Sequence, residues 1–191
     1  MKLRNPWVLI LGLLLITLGA LALLQLAISP LGNSPQILKL EHPKIKTPES
    51  IPSSLKIHFF QNEPETIDSV LKRHPVIIVN FWAEWCTACL IEMPSLNALH
   101  HHLKDQGLLV VAMSVDEAPQ VSIPKIKKKL NLSLPMAFDQ QQHWSDLFDI
   151  HGLPFTVILN HNKEILHVEL GERDWNTPEL RSKIQEWLAQ F

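Results

Sequence analysis

Hydrophobic and polar positions alternate between three regimes along the chain. From residue 7 to residue 28 the sequence is almost wholly apolar, broken only by glycines, Thr17 and Gln25. A helix over that stretch would reach about 33 Å, enough for a hydrocarbon core of roughly 30 Å. Lys2 and Arg4 precede the run and no charge follows until Lys39, so the positive-inside rule keeps residues 1–6 in the cytoplasm and places the bulk outside. A cleaved signal peptide with Ala20, Leu21 and Ala22 at its small-residue site is the competing reading, and a buried soluble helix would need a polar face that is missing. Either membrane reading exports the rest of the chain. No cysteine follows the run, which excludes a lipoprotein anchor.

Residues 29–54 form the second regime, with Pro30, Pro35, Pro43, Pro48 and Pro52 among scattered Ser, Lys and Glu. That density blocks helix and favours an extended spacer, part of which can pack along the domain as an edge segment. The third regime alternates strand and helix signals. Strands are expected at 56–60, 76–82, 108–115 and 134–138, with a hairpin of 155–159 and 164–170 across His161 and Asn162. Helices are expected at 65–73 (Asn62 and Pro64 near the start), from the cysteines to about Lys104, at 123–130, at 144–148, and at 178–190 behind a Thr177 cap and Pro178. The runs 76–82 and 108–115 are continuously apolar, as strands buried on both faces are. The order implies a mixed α/β sheet covered on both faces. The resulting layout is a tail (1–6), a transmembrane signal-anchor (7–28), a linker (29–54) and one domain (55–191).

Charge removes one class of partner. The formal net charge is −2, with both signs dispersed, and gives no electrostatic case for nucleic acid. Cysteine usage points to chemistry instead. The chain has 2 cysteines, Cys86 and Cys89, and a bridge between them closes too small a loop to contribute much stability. They stand where a buried strand ends and a helix begins. Residues three apart on a helix have neighbouring side chains at a separation that suits a disulfide. At the helix start Cys86 meets unpaired N–H groups and the positive end of the dipole, which favour a thiolate nucleophile; Cys89, one turn deeper, would resolve the mixed disulfide. Zinc would require ligands that no second cysteine pair supplies, whereas two thiolates alone can hold Cu(I).

The segment from Phe81 through Trp82, Ala83, Glu84, Trp85 and Cys86 to Thr87, Ala88 and Cys89 resembles the active-site segment of the thioredoxin superfamily with a changed middle dipeptide. Pro94 matches that superfamily's helix-kinking proline, and Gly152, Leu153 and Pro154 resemble its cis-proline loop, which faces the disulfide and docks substrate. Within the superfamily the chain is similar to the membrane-anchored reductases of TlpA/ResA type, with the CcmG (DsbE) group as near kin. The export anchor, a central insertion over 116–146, Glu92 three residues past Cys89, and the Gly171-to-Trp175 stretch carry that likeness. The resemblance implies a thioredoxin-like fold, catalytic Cys86, Cys89 and Glu92, a redox-active Cys86–Cys89 disulfide, substrate docking by Trp85, Leu153 and Pro154, no cofactor and no metal. It further implies reduction of exported client proteins on the periplasmic face of the bacterial inner membrane. Apocytochrome c or copper-site assembly proteins would be the clients, and a membrane donor of DsbD/CcdA type would supply electrons. A general TlpA-like reductase ranks first and a dedicated cytochrome c maturation factor second, with a Cu(I) carrier and a non-catalytic interaction domain as rivals.

One departure matters. Thioredoxin carries a buried aspartate where this chain has Asn80, which cannot exchange a proton at neutral pH. Proton handling for Cys89 would then pass to Glu92 on a partly shielded helix face, with its pKa raised; a solvated helix glutamate is the alternative. Other features read as structural. His100, His101 and His102 point in different directions around a helix and read as solvated surface; Lys125, Lys127, Lys128 and Lys129 read as the exposed side of an insertion helix. Trp82, Trp144, Trp175 and Trp187 read as packing, and Trp85 as an exposed rim.

Overall fold

A computed structural model describes the protein over residues 47–139 and 141–190. The tail over 1–6, the anchor over 7–28 and most of the spacer lie outside the described residues. Among the described residues no helix is long and apolar enough to cross a membrane.

Seven strands form one sheet: β1 (Lys56–Phe59), β2 (Glu65–Thr66), β3 (Val76–Trp82), β4 (Leu108–Ser114), β5 (Met136–Phe138), β6 (Phe155–Asn160) and β7 (Ile165–Leu170), in the spatial order β2-β1-β5-β4-β3-β6-β7. The helices are α1 (Ile67–Leu71), α2 (Thr87–Leu103, continued by a 3₁₀ turn at Lys104–Gln106), α3 (Pro119–Lys129), α4 (His143–Leu147) and α5 (Pro178–Leu188). Parallel β3, β4 and β5 sit in the centre, and antiparallel β6 and β7 close one edge. This is a thioredoxin-like α/β fold.

The apolar run of β3 is explained by its two covered faces. Val76, Ile78 and Trp82 face one core with Cys89, Met93, Leu96, Leu99, Ile123, Trp175 and Ile184, while Ile77, Val79 and Phe81 face another with Ile57, Val70, Trp144, Phe148 and Phe155. Strand alternation puts Asn80 on the first face, under α2, as the polar member of a buried strand. Parallel pairing of β3 with β4 sets Trp82 beside Ser114, so both strands end at the same edge, where the cysteine loop begins.

Several expected boundaries move, each for a local reason. The helix expected over 65–73 starts later because Glu65 and Thr66 pair with Ile57 and Lys56. Thr66 stays extended and caps α1, its Oγ1 accepting from Ser69 N at 3.3 Å. The helix expected from 123 begins at Pro119, a residue that fits a first helical turn. The strand expected from 134 starts at Met136, because Leu134 N donates to the Asn97 side chain at 3.0 Å instead of to a ladder. Ile51, within the segment read as linker, is buried in the second core beside Leu55 of the domain, as a spacer partly packed along the domain would place it.

His100 also departs from its solvated reading. The ring is half-buried on α2, and its Nδ1 has no hydrogen-bond partner. Burial first, then the neighbouring His101, Lys104 and His74, pushes its pKa down to about 4. Burial likewise lowers that of His74. Unfolded histidine takes its proton near pH 6.5, so between there and about pH 4 the unfolded chain binds a proton that the fold refuses, and stability falls as pH falls. Urea unfolding should show a loss on the order of 2 kcal/mol between pH 7 and pH 4 traceable to His100, less than the full shift implies because the ring is partly solvated. His100→Phe should flatten that part of the profile; an unchanged slope refutes the assignment.

Candidate active site

The chain turns at Ala83, where Cys86 N donates to Ala83 O at 3.1 Å, and α2 begins immediately afterwards. Cys86 is the N-cap residue itself: its backbone is extended (φ −86°, ψ 96°), and its Sγ accepts from Cys89 N at 3.2 Å. A sulfur in that position lies among the unpaired N–H groups of the first turn, where the helix dipole favours negative charge. Cys86 and Cys89 form a disulfide with a Cα separation of 5.3 Å. Both are buried, Cys86 at 6% exposure and Cys89 at 0%, so the edge of Cys86 is the side that meets solvent.

The loop carrying this cap is tied down from β4. Glu84 N donates to both carboxylate oxygens of Asp116, at 3.0 and 3.2 Å, and Asp116 also accepts from Ser114 Oγ at 2.9 Å. Val115 N donates to Trp82 O at 2.9 Å. Lys125 of α3 is on the exposed side of its helix, as read, and pairs at the surface with Glu84 of the cysteine loop. Trp85 projects outward with 75% of its surface exposed, while Trp82 is fully buried. Asp116, read from sequence only as the end of a strand, is thus a positioning residue for the cysteine loop.

Immediately before the adjoining strand β6, the Leu153–Pro154 peptide bond is cis. Phe155 pairs with Phe81, which places Pro154 level with the end of β3, and Leu153 packs against the cluster containing both cysteines. Pro154 O accepts from Gly171 N at 2.9 Å. Gly171 has a φ of 104°, a conformation that glycine adopts without steric cost, and from there the chain turns back across α2. A groove of about 770 Å³ is lined by Trp85 and Leu153, and its lining also includes Asp116, Glu117, Asp139, Asp146 and Asp149 but neither lysine nor arginine. Among the described residues no group of three or more His, Cys, Asp or Glu side chains is placed to hold a metal ion.

Glu92 is more enclosed than its sequence position suggested, at 2% exposure. Its Oε1 accepts from Asn80 Nδ2 at 2.7 Å, and its Oε2 accepts from Trp175 Nε1 at 2.9 Å and from Arg173 N at 3.2 Å. Asn80 Nδ2 also donates to Thr156 Oγ1 at 2.9 Å. No cation completes this set. The Arg173 guanidinium turns away, pairing with Glu169 at 2.7 Å and lying 5.2 Å from the centre of the Trp175 ring. Burial holds the Glu92 carboxyl above its ordinary range despite the donors from Trp175, Asn80 and Arg173, and the nearby Glu172 pushes in the same upward direction. Glu92 lies one helical turn past Cys89 on the same side of α2. Trp175, read as packing, is therefore also a hydrogen-bond donor to Glu92. A glutamate on the buried face of a helix was the available sequence signal that something polar had to meet it.

Residues 59–168 match the family model described as the AhpC/TSA family. The chain belongs to the AhpC/TSA family. AhpC/TSA matching spans the sheet from β1 into β7 together with the cysteine loop and the cis-proline turn. Among individual relatives, the thiol-disulfide oxidoreductase ResA of Geobacillus kaustophilus (strain HTA426) is 32% identical over 95 residues, covering 50% of this chain and 54% of the relative. The ResA of Bacillus subtilis (strain 168) is 28% identical over 95 residues, covering 50% and 52%. The chain spans about half the length of the curated relatives it matches. Two solved structures share the fold. StoA from Bacillus subtilis matches with a TM-score of 0.57 at 19% identity, over 72% of this chain and 98% of that one. A thiol:disulfide interchange protein from Bacteroides sp. matches with a TM-score of 0.61 at 16% identity, over 76% and 91%.

The buried carboxyl has a consequence for stability. A carboxyl whose folded pKa is raised binds its proton more tightly in the fold than in the unfolded chain, so stability falls as pH rises from the ordinary value, 4.5, through the folded one. Glu92→Gln removes this dependence. Its unfolding free energy, compared with wild type in urea titrations, should improve as pH rises above 4.5 and level off once the folded carboxyl has ionised. A difference that stays constant with pH would show that Glu92 titrates normally.

Proposed function

We propose that the chain is an extracytoplasmic thiol-disulfide oxidoreductase that reduces disulfides in exported client proteins. The observation that carries the proposal is the Cys86–Cys89 disulfide at the mouth of α2 with the buried Glu92 one turn deeper. In the reduced enzyme, the Cys86 thiolate, favoured by the N-cap position, attacks one sulfur of a client disulfide. The Cys86–client bond forms as the client's own S–S bond breaks, and the departing sulfur leaves as a thiolate that takes a proton. Cys89 then loses its proton, with Glu92 as the acceptor, and attacks Cys86 Sγ. The second client sulfur is released, and the Cys86–Cys89 disulfide remains. Two electrons pass from the enzyme to the client, and a fresh pair from a membrane thiol donor of DsbD/CcdA type restores the dithiol.

Trp85, Leu153 and Pro154 are the proposed docking elements. Trp85 and Leu153 both line the groove, so a client segment lying in it has apolar contacts from the cysteine loop and from the cis-proline turn. Carboxylates along that groove favour a client segment without acidic side chains of its own. Anchoring by a helix over 7–28 on the periplasmic side of the inner membrane belongs to the same reading, supported by the apolar run and its preceding Lys2 and Arg4. The ResA relatives are named as thiol-disulfide oxidoreductases; the reducing direction, and a dedicated cytochrome c maturation role with apocytochrome c as client as the second reading, rest on the resemblance of the motifs to the TlpA/ResA group. Copper-site assembly proteins are alternative clients.

Two measurements test the proposal. Cys89→Ala should accumulate a mixed disulfide between Cys86 and a client, whereas Cys86→Ala should trap nothing and lose at least a thousandfold in exchange rate. If Cys89→Ala captures no client under oxidising export conditions, the exchange role is wrong. The reduction potential decides direction: a value near about −270 mV marks a reductase, and one near about −120 mV an oxidant.

A further inference from the structure

Asn80 sits between Glu92 and Thr156 with all of its hydrogen bonding on one side. Nδ2 donates to Glu92 Oε1 at 2.7 Å and to Thr156 Oγ1 at 2.9 Å, while the buried Oδ1 has no partner. On the far side of the carboxyl, Oε2 faces two groups that can only donate, Trp175 Nε1 and Arg173 N. A proton arriving on Glu92 therefore has one place to go, Oε1. Among the described bonds Oε1 accepts from Asn80 alone, and a proton on the side that Asn80 faces would set donor against donor.

We infer that Asn80 is a positioning residue whose amide turns over with the protonation of Glu92, presenting Nδ2 to the carboxylate and Oδ1 to the acid. An amide is suited to this exchange. Its two N–H bonds and its two carbonyl lone pairs lie in one plane at similar angles, so a half-turn replaces two donors by two acceptors at the same two positions. After the turn Oδ1 accepts from Glu92 O–H and from Thr156 O–H, and the threonine hydroxyl rotates to make the second bond. A hydroxyl can serve in either sense. The turn exchanges an orphaned carbonyl for an orphaned NH₂, so each state leaves one group of the amide without a partner. A buried aspartate at this position could not do the same, because it would bring a second ionisable carboxyl against Glu92.

The inference deepens the proposed role of Glu92 in exchange. Within the oxidised protein it concerns a proton shift alone: one O–H bond forms or breaks on Oε1 and no sulfur bond changes. The groups facing Glu92 are Asn80 from β3, whose amide is in turn bonded to Thr156 of β6, and Arg173 N, Trp175 Nε1 and the Glu172 carboxylate from the turn before α5; the two cysteines of α2 do not titrate while bridged.

Glu92→Gln supplies a fixed mimic. With two donors at the Oε2 position, the glutamine carbonyl must settle there, and its NH₂ must face Asn80, which can accept only through Oδ1. In the oxidised full-length chain in detergent micelles, labelled with ¹⁵N-asparagine, the Asn80 side-chain resonances should move between two limits as pH is raised. Their midpoint should coincide with that of the Glu92 carboxyl band in the infrared, and Glu92→Gln should hold the low-pH limit at every pH. Resonances that ignore the Glu92 titration, or a Glu92→Gln spectrum at the high-pH limit, overturn the inference. A second arm compares removals. Trp175 can only donate, so Trp175→Phe should raise the Glu92 midpoint by about one pH unit. Asn80→Leu, which removes a partner of both states, should raise it by less than half as much, and an equal or larger shift marks Asn80 as a fixed donor. Because both arms read the resting disulfide form, the inference can stand or fall whether or not Glu92 governs the rate of exchange.

Discussion

A carboxyl group enclosed in the protein with no cation beside it is the constraint around which this site is built. Glu92 is held by three N–H groups that come from three places: Asn80 on the central strand, the backbone of Arg173, and the indole of Trp175. Dipoles of this kind recover part of the solvation lost on burial but not all of it, which is why the proton is held more tightly than in water. A guanidinium close by would have abolished that property. Arg173 is near enough in sequence, yet its charge is spent on Glu169 and on the face of Trp175.

The same contacts fix the helix that bears the cysteines. Ser95 Oγ donates to Glu92 O at 2.7 Å and accepts from Trp175 N at 3.0 Å, so the segment that caps Glu92 is stitched to α2 at two successive levels. From below, Asn80 holds the helix to β3. At its mouth, Asp116 fixes the loop that sets Cys86 as N-cap. Sulfur chemistry and proton chemistry thus share one rigid element, with the cap exposed at one end and the carboxyl sealed one turn beyond the inner cysteine. Removing any tie would disturb both.

How much of this could be read from residues alone depends on the range of the interaction. The apolar runs gave the succession of strands along the chain, because it follows from strand length and burial, and Asn80 was placed by its match to thioredoxin's buried aspartate. The N-cap position of Cys86 and the one-turn relation of Cys89 to Glu92 followed from helix geometry. Trp175 as a donor to Glu92 is 83 residues away in sequence, and nothing local announces it. Asp116 looked like a strand end because its role exists only where parallel β3 and β4 finish together. The boundary errors have the same origin: Glu65 and Thr66 carry helix-compatible signals, and a neighbouring strand claims them. His100 was placed on the right helix and on the wrong side of the water boundary, since a solvated reading of three consecutive histidines does not say which one the helix turns inward.

The replacement of thioredoxin's buried aspartate by Asn80 now has a physical reading. Two carboxyls within hydrogen-bond distance in an apolar interior cannot both ionise, so a site with aspartate at 80 and glutamate at 92 would titrate as a coupled pair whose proton belongs to neither. With an amide at 80 the titration belongs to Glu92 alone, on the helix that also carries both thiols. The ionisable group has in effect moved from the sheet to the helix, and the sheet keeps a neutral partner able to meet either form. Under the proposed function, that shift would tie proton exchange to the turn of α2 behind Cys89. The segment from Gly171 to Trp175 walls in that carboxyl, through Arg173 N and the Trp175 indole.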